Sequence, residues 1–276
     1  MSVRPQTTVL EPTPGWRAID LRELFEYREL LYVFSWRDLK VRYRQTILGA
    51  VWVVGQPLVS MLIFTLLFNR VAKLGASLTV PYALFVLAGL LIWNFINSVI
   101  QNGGNSLIGS SFLISKVYFP RLVIPLANGV TSLVDFGVAL LLLVPLMIWY
   151  RFVPGPELLL APLVVLLAGA FSMGVALWIA ALNVEYRDVR VVVPWILQIA
   201  MYATPVVYPL AALPPAYRPF AIANPATGIV EAFRGCLFGT PVPAGALAWS
   251  IAASLLLLAS GALYFRRMER LFADTL

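Results

Sequence analysis

Six apolar runs dominate the sequence: Ile47 to Phe68, Val80 to Ile100, Leu122 to Trp149, Leu158 to Leu182, Val191 to Tyr208 and Ala244 to Phe265. An α-helix rises about 1.5 Å per residue, so roughly 20 apolar residues cross a hydrocarbon core of about 30 Å. None of the runs shows the apolar-polar alternation of a membrane β-barrel strand. With 61% hydrophobic residues and only 12% charged, the chain carries more apolar surface than one soluble core of 276 residues could hide. The pattern predicts an all-α integral membrane protein with six transmembrane helices.

The same sequence removes several kinds of chemistry. Cys236 is the single cysteine and there is no histidine, which excludes an intramolecular disulfide and a Cys/His metal cluster. No Gly-x-x-x-x-Gly-Lys-Ser/Thr loop is present, so the chain is expected to bind no nucleotide in the P-loop manner and no cofactor of its own. Any dependence on ATP and Mg falls to a partner. No outer pair of carboxylates stands beside a nucleophile and base, which gives an enzyme little to work with. The first 45 residues lack the apolar core and cleavage site of a secretory signal, leaving insertion to the first span.

Fifteen of the 20 Lys and Arg residues fall on one side of the six runs: before the first, after the second, after the fourth and after the sixth. The excess of positive charge places that side, with both termini, in the cytoplasm. This divides the chain into a cytoplasmic lead and interface helix (1–46), a six-span body (47–265) and a cytoplasmic tail (266–276). Because the basic residues flank spans, attraction to anionic lipid headgroups accounts for them, and no nucleic-acid partner is expected.

Between the spans the sequence is punctuated. Residues 1 to 19 form a loose lead with Pro5, Pro12 and Pro14. Asp20 and Glu23 then resemble a capping box, and Leu21, Leu24, Phe25, Leu30, Leu31, Phe34 and Leu39 recur at helical spacing among charged residues. This predicts an amphipathic helix along the cytoplasmic interface, the alternative being a packed helix of a small cytoplasmic domain. The glycine- and serine-rich stretch 102–122 reads as a short cytoplasmic helix ending at Pro120. After the fifth run, repeated prolines lead to "NPATGIVEAFRGCLFG", with Asn224 as cap, Pro225 at the first helical position and Gly239 at the close. Its apolar part is too short to span, predicting re-entrant helices on the outer side between spans five and six, with an interfacial helix there as the alternative. Glu231 and Arg234 can pair there, structurally or functionally.

Ala168, Ser172, Ala176 and Ala180 give span four a small-residue face for close helix packing. Asp135 is an acid within span three, expensive unless it faces protein or water. A structural hydrogen-bonded role and a place on a polar pathway are both open to it.

Four ordered stretches resemble the membrane subunits of bacterial ABC exporters for polysaccharides such as O-antigen, capsule and teichoic acid. They are "RDLKVRYRQTILGAVWVVGQPL" (37–58), "LISKVYFPRLVIP" (113–125), "NVEYRDVR" (183–190) and "NPATGIVEAFR" (224–234). The resemblance covers the chain from about Leu21 onward. It implies a homodimer bound to two copies of a separate ATPase subunit, in the bacterial inner membrane, moving a lipid-linked polysaccharide. By that resemblance the ATPase contacts fall at Arg37 and Lys40, at Ser110, Ser111 and Lys116, and at Glu185, Tyr186, Arg187 and Asp188. The stretch "NGGNSLIGSSF" departs from the family pattern in its glycines and in Phe112. Orientation by Arg187 and Arg190, with the acids as balance, is the alternative account of the third contact.

The outer helices, with Glu231 and Arg234, would help close the exit. A sliding sugar chain needs polar groups and rings to stack on, and Tyr43, Trp52, Trp93 and Asp135 are the candidates for that pathway. The chain's 13% aromatic content also fits ordinary interfacial belts. A secondary transporter, or a membrane enzyme acting on lipid-linked sugars, is the alternative reading.

Overall fold

A computed structural model of the chain describes residues 25–44, 49–71, 78–110, 112 and 119–269, and the side chains of these apart from 49–52 and 69–71. The capping box at Asp20, Ser111, Lys116 and the end of the tail lie outside the described residues. No strand occurs among the described residues.

The helices are α1 (Arg28–Arg44), α2 (Gly49–Phe64, continued by a π-helical stretch Thr65–Val71), α3 (Tyr82–Gly109), α4 (Val123–Leu140), α5 (Leu143–Trp149), α6 (Ala161–Glu185, entered through a 3₁₀ turn Pro156–Leu160), α7 (Val189–Ala203), α8 (Arg218–Ala223), α9 (Pro225–Phe238) and α10 (Ala244–Met268). Four stretches among the described residues are long and apolar enough to cross a membrane: Tyr82–Gly109, Val123–Trp149, Pro156–Glu185 and Ala244–Met268. Two shorter apolar stretches lie among the described residues, Val53–Phe68 within the helical segment Gly49 to Val71, and Val189–Ala203.

The centre of the bundle is α3, whose residues from Tyr82 to Trp93 are all buried. It packs most extensively on α6 and α4, and also touches α2, α7 and α9. The α3–α6 seam is made by small side chains. Ala168, Ser172, Ala176 and Ala180 are each fully buried, and a Cβ added at Gly103 or Gly104 would meet Ala176 or Ile179 of α6. On its other side α6 runs beside α10, where a Cβ at Gly174 would meet the backbone of Leu257 and Leu258, and one at Gly261 would meet the backbone of Gly174. Backbones approach this closely only when side chains are absent, the usual basis of helix association where lipid gives no hydrophobic drive.

Three expectations are corrected. The segment 102–109 is not a separate cytoplasmic helix. It continues α3 to Gly109, because Gly103 and Gly104 fit the seam with α6 and so are buried in the bundle rather than exposed in a loop. The fifth helix stops at Ala203 and not Tyr208, because Pro205 forces Thr204 into an extended conformation (φ −91°, ψ 141°). Finally, α1 does not present one apolar face. It buries Phe34 and Ser35 against the bundle while Tyr32, Val33, Trp36 and Val41 point outward. Its axis follows α4: Ser35 donates to the carbonyl of Ala127, and a turn or two later Tyr43 reaches Asp135.

The segment after α7 carries two consecutive helices, α8 and α9, separated by a break at Asn224. Asn224 Oδ1 accepts the N–H of Ala226 at 3.0 Å, its Nδ2 donates to Thr204 Oγ1 at 2.8 Å, and Pro225 occupies the first turn. At the far end Gly239 adopts φ 66°, the left-handed cap expected of glycine. With 14 residues α9 is too short to span, and it is nearly all buried against α3, α6 and α10.

Candidate functional site

The polar loop between α6 and α7 lies at one end of the bundle. Glu185, Tyr186, Arg187 and Asp188 are all exposed there. The N–H of Tyr186 donates to Leu182 to close α6 at 2.8 Å, and the carbonyl of Asp188 accepts from Val191 and Val192 to open α7, both at 3.0 Å. The Glu185 carboxylate accepts the Tyr186 hydroxyl and raises its pKa above the usual tyrosine value. The loop is anchored beneath by Asn183, which donates to the Gly104 carbonyl at 2.7 Å. Stacking of Trp178 on Tyr264, centroids 4.2 Å apart, fixes the adjoining turn to α10.

Of the other residues expected to meet a motor, Arg37 pairs with Asp38 at 2.8 Å on the outer side of α1, and Lys40 lies over Trp36 at 5.9 Å. Ser110 caps α3. No hydrogen bond or ion pair among the described residues joins Arg37 or Lys40 to the loop 185–188, so these are separate patches on one chain.

Asp135 is the meeting point of two elements. It accepts an ion pair from Arg42 and the hydroxyl of Tyr43 at 2.6 Å, both from α1. The acid is thereby neutralised inside the bundle, which favours the structural alternative while leaving it on the wall of a cavity. That cavity, of about 210 Å³, is lined by Val53, Gln56 and Pro57 of α2, Leu91, Asn94, Phe95, Asn97 and Ser98 of α3, and Ser132, Asp135, Phe136 and Ala139 of α4. Trp93 is buried at 3% exposure in the core and is not part of this lining. The side chain of Trp52 lies outside those described.

The α3 wall was missed in the sequence because its polar residues are diluted in an apolar run. Asn94, Asn97, Ser98, Gln101, Asn102 and Asn105 recur at three- and four-residue intervals and, at 3.6 residues per turn, fall within about 140° of arc. Periodicity, not mean hydropathy, is the signal that finds them. Ser98 and Ser132 share a hydrogen bond of 2.9 Å between α3 and α4. Asn102 donates to Ser98 at 2.9 Å and Gln101 to Asn97 at 2.8 Å.

Glu231 and Arg234 do pair, at 3.1 Å, and the arginine is fully buried. Its guanidinium also donates to the carbonyls of Phe85 at 3.2 Å, Pro205 at 2.7 Å and Val206, and lies 3.6 Å from the Phe85 ring centroid. Gly89 leaves room for it, since a Cβ there would meet the guanidinium. Arg234 thus joins α9, α3 and the turn after α7, and at Pro205 and Val206 it supplies donors to carbonyls beyond the end of that helix. Among the described residues no group of three or more His, Cys, Asp or Glu side chains is placed to hold a metal.

A bundle of apolar helices with close small-residue seams, a polar stripe along α3 and an exposed charged loop at one end fits a multi-pass membrane protein. The family can be stated as well: a model described as ABC-2 type transporter matches residues 29–238, and the chain belongs to that family. It is similar to the O-antigen export system permease protein RfbA of Myxococcus xanthus, 31% identical over 259 residues, which cover 93% of this chain and 98% of that protein. Two proteins of the same name from Klebsiella pneumoniae are 28% identical over 254 residues, covering 90% of this chain and 95% of the relative, and 29% identical over 212 residues, covering 75% and 79%.

Proposed function

We propose that this chain is the membrane subunit of an ATP-driven exporter that carries a lipid-linked, O-antigen-like polysaccharide from the cytoplasm across the bacterial inner membrane. The single observation that carries the reading is similarity over nearly the full length to permeases named for O-antigen export, within the ABC-2 type transporter family. ATP and Mg belong to a separate ATPase subunit, since this sequence lacks a P-loop.

In this reading six helices span the membrane, both termini are cytoplasmic, and α8 and α9 are the outer re-entrant helices. The ATPase meets the chain at Arg37 and Lys40 on α1, at Ser110, Ser111 and Lys116 beyond α3, and at Glu185, Tyr186, Arg187 and Asp188. Exposure of the whole 185–188 loop supports that role. Two copies of the chain associate, and two copies of the ATPase bind below. The outward apolar faces of α2 (Val59, Leu62, Ile63) and α7 (Trp195, Ile196, Ile199) support a second copy, because both helices have few neighbours within one chain. Force reaches the pathway when the ATPase prefers one arrangement of these helices over another.

Charge reversal tests the motor contact. Arg187→Glu with Asp188→Lys is expected to abolish co-purification with the ATPase and ATP-driven glycan export in vesicles while leaving the chain folded and inserted. Wild-type assembly and export in that variant would remove the loop from the contact.

A further inference from the structure

We propose that the cavity halfway along α3 binds one neutral sugar ring of the exported chain, held by Gln56, Asn94, Asn97, Ser98 and Ser132 and flanked by Phe95 and Phe136. The inference rests on the reading of the chain as a glycan exporter and adds a recognition site to it.

The cavity sits where polar side chains are least expected. Its wall on α3 lies near the midpoint of the helix Tyr82–Gly109, and polar groups in the body of a spanning helix are costly unless they face protein or water. Some of this stripe has an internal use: the Ser98–Ser132 bond joins α3 to α4, and Asn105 meets Asn183 of α6 at 3.3 Å. Gln56 and Asn94 have no side-chain hydrogen bond among the described residues, yet both line the cavity. Pro57, also in the wall, has no N–H to give, so the carbonyl of Val53 beside it loses its usual helical donor. Amides, hydroxyls and a spare carbonyl therefore offer both donors and acceptors toward one space.

Charge selects among ligands. Among the described residues of the lining, Asp135 is the only ionisable one, and Arg42 and Tyr43 already occupy its carboxylate. The described lining presents no uncompensated charge, which disfavours a diphosphate and suits uncharged hydroxyl groups. Size selects further. At about 210 Å³ the space is smaller than the roughly 300–1,000 Å³ of sites for drug-sized ligands, which matches one ring rather than a run of them. Phe95 and Phe136, with centroids 5.2 Å apart, supply apolar faces against which the C–H side of a sugar can lie. A site built from neutral hydrogen bonds and two rings holds its ligand weakly, as a chain that must keep moving requires.

The test uses the full complex with its ATPase in vesicles, loaded with the polyprenyl-diphosphate-linked glycan extracted from the host's membranes. Asn97→Leu and Ser132→Ala, which keep approximate volume and remove polarity, are expected to lower the initial export rate by about five- to tenfold each, the worth of roughly one net hydrogen bond. Asn97→Gln and Ser132→Thr are expected to recover part of the loss. In a second measurement Asn94→Cys, in a Cys236→Ala background, carries a benzophenone that is photoactivated during transport; the expected product is an adduct with the sugar chain. Wild-type export rates in both apolar variants would overturn the site, as would cross-links confined to protein and lipid, which would mark a water-filled packing cavity. A wild-type complex that exports no glycan would instead overturn the functional reading beneath it, and the two failures are distinguishable.

Discussion

Arg234 shows what a buried charge does in this protein. It is fully enclosed, paired with Glu231 and donates to three backbone carbonyls from two other segments. Truncating one partner of such a pair leaves the other charge buried, a loss of about 3–5 kcal/mol. Arg234→Met is therefore expected to lower the thermal midpoint of the detergent-solubilised protein steeply, and adding Glu231→Gln to recover part of the loss. Thermal aggregation of the single and double variants measures it; equal stability of wild type and Arg234→Met would show that the carbonyls find other donors. The pairing of Glu231 with Arg234 could be read from their i, i+3 spacing, but the carbonyls could not. Pro205 and Val206 precede Arg234 by almost thirty positions, and only the folding back of α9 brings them together. The same holds for Asp135: its cost in a spanning helix was evident from hydropathy, whereas its neutralisation by Arg42 and Tyr43 depends on the path of α1.

At the scale of elements, small residues decide which helices touch. The four-residue interval of Ala168, Ser172, Ala176 and Ala180 announced a packing face, and that face is buried along α3. The face toward α10 was less visible, because Gly174 acts alone on α6 and its counterpart Gly261 lies far along the chain. Gly174→Leu is expected to be more disruptive than Ala176→Ser. The added side chain meets backbone of Leu257 and Leu258, which cannot move without separating two spans, and overpacking in such sites costs about 1–3 kcal/mol or more. Yield of folded protein after mild detergent extraction, by size-exclusion profile, checks the order; equal yields would mean that α6 and α10 separate freely. The Gly103–Gly104 pair shows why composition misled. Glycine and serine are as typical of loops as of close helix seams in membranes, and nothing local distinguishes the two.

At the scale of the molecule, α6 separates two exposed ends. The loop 185–188 lies at one, and the other carries Arg151, Val153 and the turn Pro156–Leu160 with Glu157, beside the close of α9. Single cysteines in a Cys236→Ala background are expected to report opposite sides: Arg187→Cys labelled by an impermeant maleimide only from the cytoplasmic face of inverted vesicles, and Val153→Cys only in intact spheroplasts. Labelling of both from one side would remove the proposed orientation. The native Cys236 is buried and is expected to label slowly from either side.

Apolar runs of some 20 residues and the caps at Asn224 and Gly239 were sufficient to predict a helical membrane protein and the ends of α9. These are local properties: hydropathy over 20 residues and the conformational preferences of Asn, Pro and Gly act whatever the rest of the chain does. Which way α1 runs, which glycines lie in seams, and which polar side chains share a cavity were decided by tertiary structure alone. Those outcomes depend on distances between residues remote in sequence, and in lipid, where apolar surfaces gain little from one another, they are set by close packing and by the need of every buried polar group for a partner.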